Sequence, residues 1–76
     1  MKLAQFKVNK ASYNFSNSST FYSMGTLPSP YRPITNTPIV LNSVHLWGVA
    51  YTDGAVKIAR ENSGSEGFAG YVVYHY

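Results

Sequence analysis

Acid–base chemistry in this chain could draw on only three carboxylates, Asp53, Glu61 and Glu66, and two imidazoles, His45 and His75. General acid–base catalysis needs two such groups held at one proton-transfer site. Asp53 stands before Gly54 in a turn dipeptide, and Glu61 and Glu66 flank the Gly/Ser stretch Asn62–Gly67, so all three read as solvated loop residues. Serine is plentiful, yet no nucleophile-elbow pattern surrounds any of it. Cysteine is absent, and His45 and His75 lack the spacing of a zinc pair. The expectation is a protein that is not an enzyme and that carries no cofactor or metal.

The remaining side chains, a neutral set rich in Tyr, Ser, Asn, Thr and Gly, suit recognition of sugars or protein partners without chemistry. A sugar site sets an aromatic plate against the C–H face of the ring and fixed donors and acceptors against its hydroxyls. Trp47 is the only indole, and a hairpin over residues 45–61 would bring His45, Arg60 and Glu61 to the same corner. The expected ligand-binding residues are therefore His45, Trp47, Arg60 and Glu61. The competing role for Trp47 is to cap the core beside Val49 and Tyr51, with Arg60 stacked on its face.

The element that must position this corner is the stretch HLWGVAYTDGAVKIARE, His45–Glu61. Asp53-Gly54 is a strong signal for a two-residue type I′ turn, which needs positive φ at both positions. Folding there pairs Tyr51 with Val56, Val49 with Ile58, Trp47 with Arg60 and Leu46 with Glu61. One face would then collect Trp47, Val49, Tyr51, Val56, Ile58 and Arg60, and the other Gly48, Ala50, Lys57 and Ala59.

Elsewhere the chain is punctuated into short strands. Ala4, Phe6 and Val8 alternate with Gln5, Lys7 and Asn9, and Tyr13 and Phe15 continue the period of two. Ser16–Thr20 is a polar loop, Thr20–Leu27 the next strand, and Ile39–Leu41 a short apolar run. Leu27–Pro33, with three prolines, is expected to lie extended over the surface with Tyr31 as its anchor. Arg32 there would satisfy carbonyls that lack a ladder partner. Asn62–Gly67 reads as a flexible loop. Phe68–Tyr76 is apolar on both faces and needs cover on both. No helix pattern is present, so the fold class is all-β, a small antiparallel sandwich or barrel formed as a single domain over residues 1–76.

Composition narrows the partners. The net charge is +3, but only 12% of residues are charged and the basic ones are scattered, whereas phosphate-backbone binding wants a basic stripe. Gly67–Tyr74 approximates the RNA-recognition strand signature, yet Gly70 sets Phe68 and Tyr71 three apart, on opposite faces, and Glu66 replaces a base. No nucleic-acid partner is expected. No apolar run is long enough to span a membrane, and Met1-Lys2-Leu3 leads into alternation, so neither membrane insertion nor a signal peptide is expected. A chain of 76 residues buries only about 60–65% of its unfolded surface, which makes self-association the common remedy.

Gly25-Thr26-Leu27-Pro28-Ser29-Pro30-Tyr31-Arg32-Pro33, followed by Gly48-Val49-Ala50-Tyr51-Thr52-Asp53-Gly54-Ala55-Val56, resembles the C-terminal head domains of tail-fibre and baseplate receptor-binding proteins of tailed bacteriophages. In that family a G-x-L-P-x-x-Y-R-P turn precedes a hairpin of the form G-x-V-x-I-x-x-D/N-G-x-V-x-V. The match covers Gly25–Ile58; Pro30 stands where the family usually has Gly, and Tyr51 where an aliphatic residue is usual. The resemblance implies a jelly-roll-like β-sandwich head that forms a homotrimer at the tip of a tail fibre, in the virion and outside the host cell. Its implied partners are a bacterial cell-surface saccharide and other tail-fibre or baseplate chains. The alternative it leaves open is a structural cap or assembly fragment that holds a trimer together without binding a ligand.

Overall fold

The computed structural model describes residues 2–76. Six strands account for the fold: β1 (Leu3–Phe15), β2 (Tyr22–Thr26), β3 (Thr37–Leu41), β4 (Leu46–Ala50), β5 (Ala55–Arg60) and β6 (Gly64–His75). They form one antiparallel sheet in the order β1-β6-β3-β4-β5-β2. The sheet curls over itself into a nearly closed, barrel-like sandwich, so the all-β class holds. The two layers come from this single sheet.

The alternation read in β1 places Ala4, Phe6 and Val8 inward, across from Tyr74, Val72 and Gly70. Phe15, Ile58, Val56 and Val72 are the fully buried centre, joined by Ile39, Leu46, Ala50, Phe68 and Tyr74. The edge strands β1 and β2 meet at one end, where Tyr22 packs edge-on against Tyr13 and Phe15. Along the rest of their length they form no ladder with each other. Pro38 lies in β3 opposite Val49, on the part of the strand that has only β4 as its ladder partner, where a missing donor is tolerated.

Three local expectations change. The proline segment is not wholly extended: Ser29–Tyr31 makes one 3₁₀ turn, closed by Tyr31 N–H donating to the Pro28 carbonyl at 2.9 Å. Proline φ suits a first helical turn, which is why Pro30 fits. The Tyr31 carbonyl accepts the Tyr74 hydroxyl at 2.7 Å and its ring meets Tyr76, so this residue does pin the segment to β6. The loop after β5 is shorter than expected, because Gly64–Gly67 already belong to β6 and the first three positions of that strand pair with Phe15, Asn14 and Tyr13.

The third change is the register of the β4–β5 hairpin. Ala50 faces Val56, Gly48 faces Ile58, Trp47 faces Ala59 and Leu46 faces Arg60, one residue away from the type I′ pairing. Within the turn only Gly54 has positive φ, at 90°. The Tyr51 carbonyl accepts from Gly54 N–H at 2.9 Å, and Tyr51 N–H donates to the Ala55 carbonyl at 2.8 Å. The loop therefore has three residues, a type I turn closed by a left-handed glycine in a bulge. The Asp53 carboxylate accepts from Ala55 N–H at 3.0 Å, which ties down this form. A slip of one residue exchanges the faces of β4. Leu46, Gly48 and Ala50 turn inward, and Trp47, Val49 and Tyr51 turn outward. The core favours this arrangement on size: a Cβ at Gly48 would stand 3.0 Å from Ile58 Cγ1 and 3.1 Å from Ile39 Cδ1, so the two isoleucines already fill that space.

Candidate ligand-binding face

The register puts a row of side chains on the outside of the β2-β5-β4 part of the sheet. Trp47 stands across from Ala59, and Phe21, just before β2, reaches the same row. Small Ala59 lies fully buried between them while the two rings meet edge to face above it, centroids 6.1 Å apart. Trp47 remains 39% exposed. An aromatic braced in this way offers a fixed apolar plate to solvent at no further ordering cost. Two residues before Trp47, on the same face and just ahead of β4, His45 Nδ1 and Glu61 Oε1 are 2.5 Å apart, both groups half exposed. The Glu61 N–H also donates to the His45 carbonyl at 3.0 Å, which fixes both backbones. At the other end of the face, Lys57 Nζ lies 5.8 Å from the Tyr51 ring centroid, a cation over an aromatic. The face therefore combines a plate with hydrogen-bonding groups on either side of it.

Arg60 does not join this face. Its position opposite Leu46 turns it the other way, where Nε donates to Glu66 Oε1 at 2.6 Å and Nη1 to the carbonyls of Asn62 and Ser63 at 3.0 and 3.2 Å. Glu66 Oε2 accepts the Ser43 hydroxyl at 2.9 Å. Arg60 hydrogen bonding, helped by Ser43, holds the Glu66 carboxyl below the usual carboxylate range, against the opposing pull of burial. Arg60 is thus a clamp on the β5–β6 turn. The stacking of Arg60 on Trp47 goes with the displaced register, since the two point to opposite sides of the sheet. Arg32 likewise serves the framework, its Nε donating to the Leu27 carbonyl at 3.4 Å beneath the Asp53-Gly54 turn.

Of the four residues expected at the corner, His45, Trp47 and Glu61 share one surface. The bulged turn brings Lys57 to the face of Trp47 and Tyr51 and turns that face outward, and Phe21 joins it through the pairing of β2 with β5. A comparison of the bulged with the type I′ turn is the sequence signal for the first two changes. No cluster of His, Cys, Asp or Glu suited to a metal exists among the described residues. Nor is any helix among them long and apolar enough to cross a membrane. Comparisons with protein-family models, curated proteins and solved structures find no match.

Proposed function

We propose that this chain is a non-catalytic recognition module that binds a bacterial surface saccharide through the outward face of β4 and β5, as the head of a phage tail fibre. The observation that carries the reading is the half-exposed Trp47, braced by Phe21 and set two residues from the His45–Glu61 pair. Plate, donor and acceptor lie within one sugar ring's reach along a strand that rises about 3.4 Å per residue. The tail-fibre resemblance of Gly25–Ile58 supplies the context, and the virion tip the location.

Because Trp47 is the sole tryptophan, its emission reports this face alone. Titration with a panel of purified bacterial polysaccharides is expected to give a saturable change in emission for at least one of them. Labelled protein should decorate cells bearing that polysaccharide. Trp47→Phe should keep the fold and weaken decoration, and His45→Ala with Glu61→Gln should weaken it further. Absence of any emission change across the panel, together with undecorated cells, would defeat the reading.

The second reading, a trimer-holding cap without a ligand, has its own observation. The outward side of β6 and its neighbours leaves Leu3, Val40, Tyr71 and Val73 exposed together. Cell binding separates the two readings, since a cap would not decorate cells.

A further inference from the structure

Beyond β2, the seam between the edge strands β1 and β2 is open. A groove of about 200 Å³ runs along β1, with Phe6, Val8, Met24 and Phe68 as its apolar lining and Lys7, Asn9 and Lys10 at its rim. Lys2 and Tyr76 exchange both backbone hydrogen bonds, at 2.8 Å each way. In an antiparallel ladder such pairs alternate, so the even residues of β1 up to Lys10 bond to β6. The backbone groups of Leu3, Gln5, Lys7 and Asn9 therefore point away from β6, into the open seam. These are the groups to which a further strand attaches.

Charge selects what kind of strand. Half of the six basic residues, Lys2, Lys7 and Lys10, lie on or beside β1, which carries no acid. All three acids are placed elsewhere: Asp53 caps its turn, Glu61 meets His45, and Glu66 meets Arg60. A second copy of β1 would bring lysine against lysine, which opposes pairing of the edge with itself. An acidic strand meets no such opposition. We propose that β1 docks an extended segment of another protein by strand addition, with apolar side chains turned onto Phe6, Val8 and Met24 and acidic ones turned toward Lys7. The backbone ladder argues for a peptide over a nucleic acid, whose phosphates would not use those amides and carbonyls.

The probe is a capped, fluorescently labelled peptide of about seven residues alternating Glu and Val, enough to follow Leu3 to Asn9 at strand spacing. Anisotropy titration should show saturable binding that weakens with salt. Two further versions carry N-methyl groups on alternate amides, one set on each edge of the peptide strand. One version should bind like the parent and the other about tenfold or more weakly, the scale of one or two lost backbone hydrogen bonds. Asn9→Pro, which removes a donor facing the seam and spares the β6 ladder, should weaken the parent peptide similarly. Lys7→Glu should shift preference toward a Lys/Val peptide. The proposal is overturned by no binding, by equal binding of both methylated versions, or by an oligothymidine of equal charge displacing the peptide equally from wild type and Asn9→Pro. Self-association relieved by Asn9→Pro would overturn it in favour of a second copy. The methylated peptides leave the protein untouched, so they decide even if the proline variant fails to fold.

Discussion

Glu66 shows how much of this small protein's order rests on single polar groups. One carboxylate joins Arg60 on β5 to Ser43 in the β3–β4 loop, and through Arg60 it holds the carbonyls of the turn that begins β6. The guanidinium lowers its pKa from the ordinary 4.5. A carboxyl depressed in the folded state contributes stability above its unfolded pKa and loses it as pH falls through the folded one. Glu66→Gln should therefore lower the urea midpoint at neutral pH, and the gap between variant and wild type should close as pH falls below 4.5. Taking the difference cancels every pH effect that the two proteins share. A gap that stays constant with pH would show that Glu66 acts by packing and not by charge. Sequence could place Arg60 and Glu66 only near the same loop. Their bond depends on β6 starting at Gly64, which an NSGSEG stretch of turn formers conceals.

At the scale of the element, the hairpin separates what a dipeptide says from what it leaves open. Asp53-Gly54 marks the reversal under either turn, because both forms use a glycine with positive φ at the second position. They differ in Asp53, whose carboxylate bonds Ala55 N–H, and that difference of one residue decides which side of Trp47 meets water. Core volume settles it: Gly48 and Ala50 admit Ile39 and Ile58 where Trp47 and Tyr51 would not fit. The strands themselves were legible because a period of two survives any register. Gly54→Ala tests the bulged form. At φ 90° a Cβ is strained, and it would stand 2.8 Å from both Arg32 Nε and the Leu27 carbonyl. The variant should lose more than about 1 kcal/mol, the ordinary scale for alanine at positive φ. Gly54→Asn, which tolerates the left-handed region better, should recover only the φ part of that loss, since the same Cβ contact remains. Chemical denaturation followed by circular dichroism gives both numbers. Near-complete recovery for asparagine would mean that φ and not contact with Arg32 sets the cost.

For the whole molecule, the balance of surface is the open matter. Inward, β6 is covered as its apolar character requires, with Phe68, Val72 and Tyr74 buried. Outward, none of the described residues roofs it: Tyr71 and Val73 are 42% and 44% exposed, and Val40 on β3 is 54% exposed. A shallow cavity of about 330 Å³ lies beside them, among Lys7, Val40, Leu41, Asn42, Ala69 and Tyr71. Sequence made the need for cover visible, because both faces of the strand are apolar, but intrachain folding can satisfy only one. A chain of 8.4 kDa without disulfides has little stability to spare. Covering this face with copies of itself adds burial without adding chain. The expected assembly is a homotrimer, and light scattering behind a sizing column should report three chains, about 25 kDa. Val73→Lys should return the protein to 8.4 kDa while leaving its far-ultraviolet spectrum unchanged, since the side chain already points outward. Trimer formation should also raise the melting temperature with protein concentration, as mass action requires when only the folded chain associates. A wild-type monomer at micromolar concentration, with a melting temperature that ignores dilution, would show that this face serves a different partner.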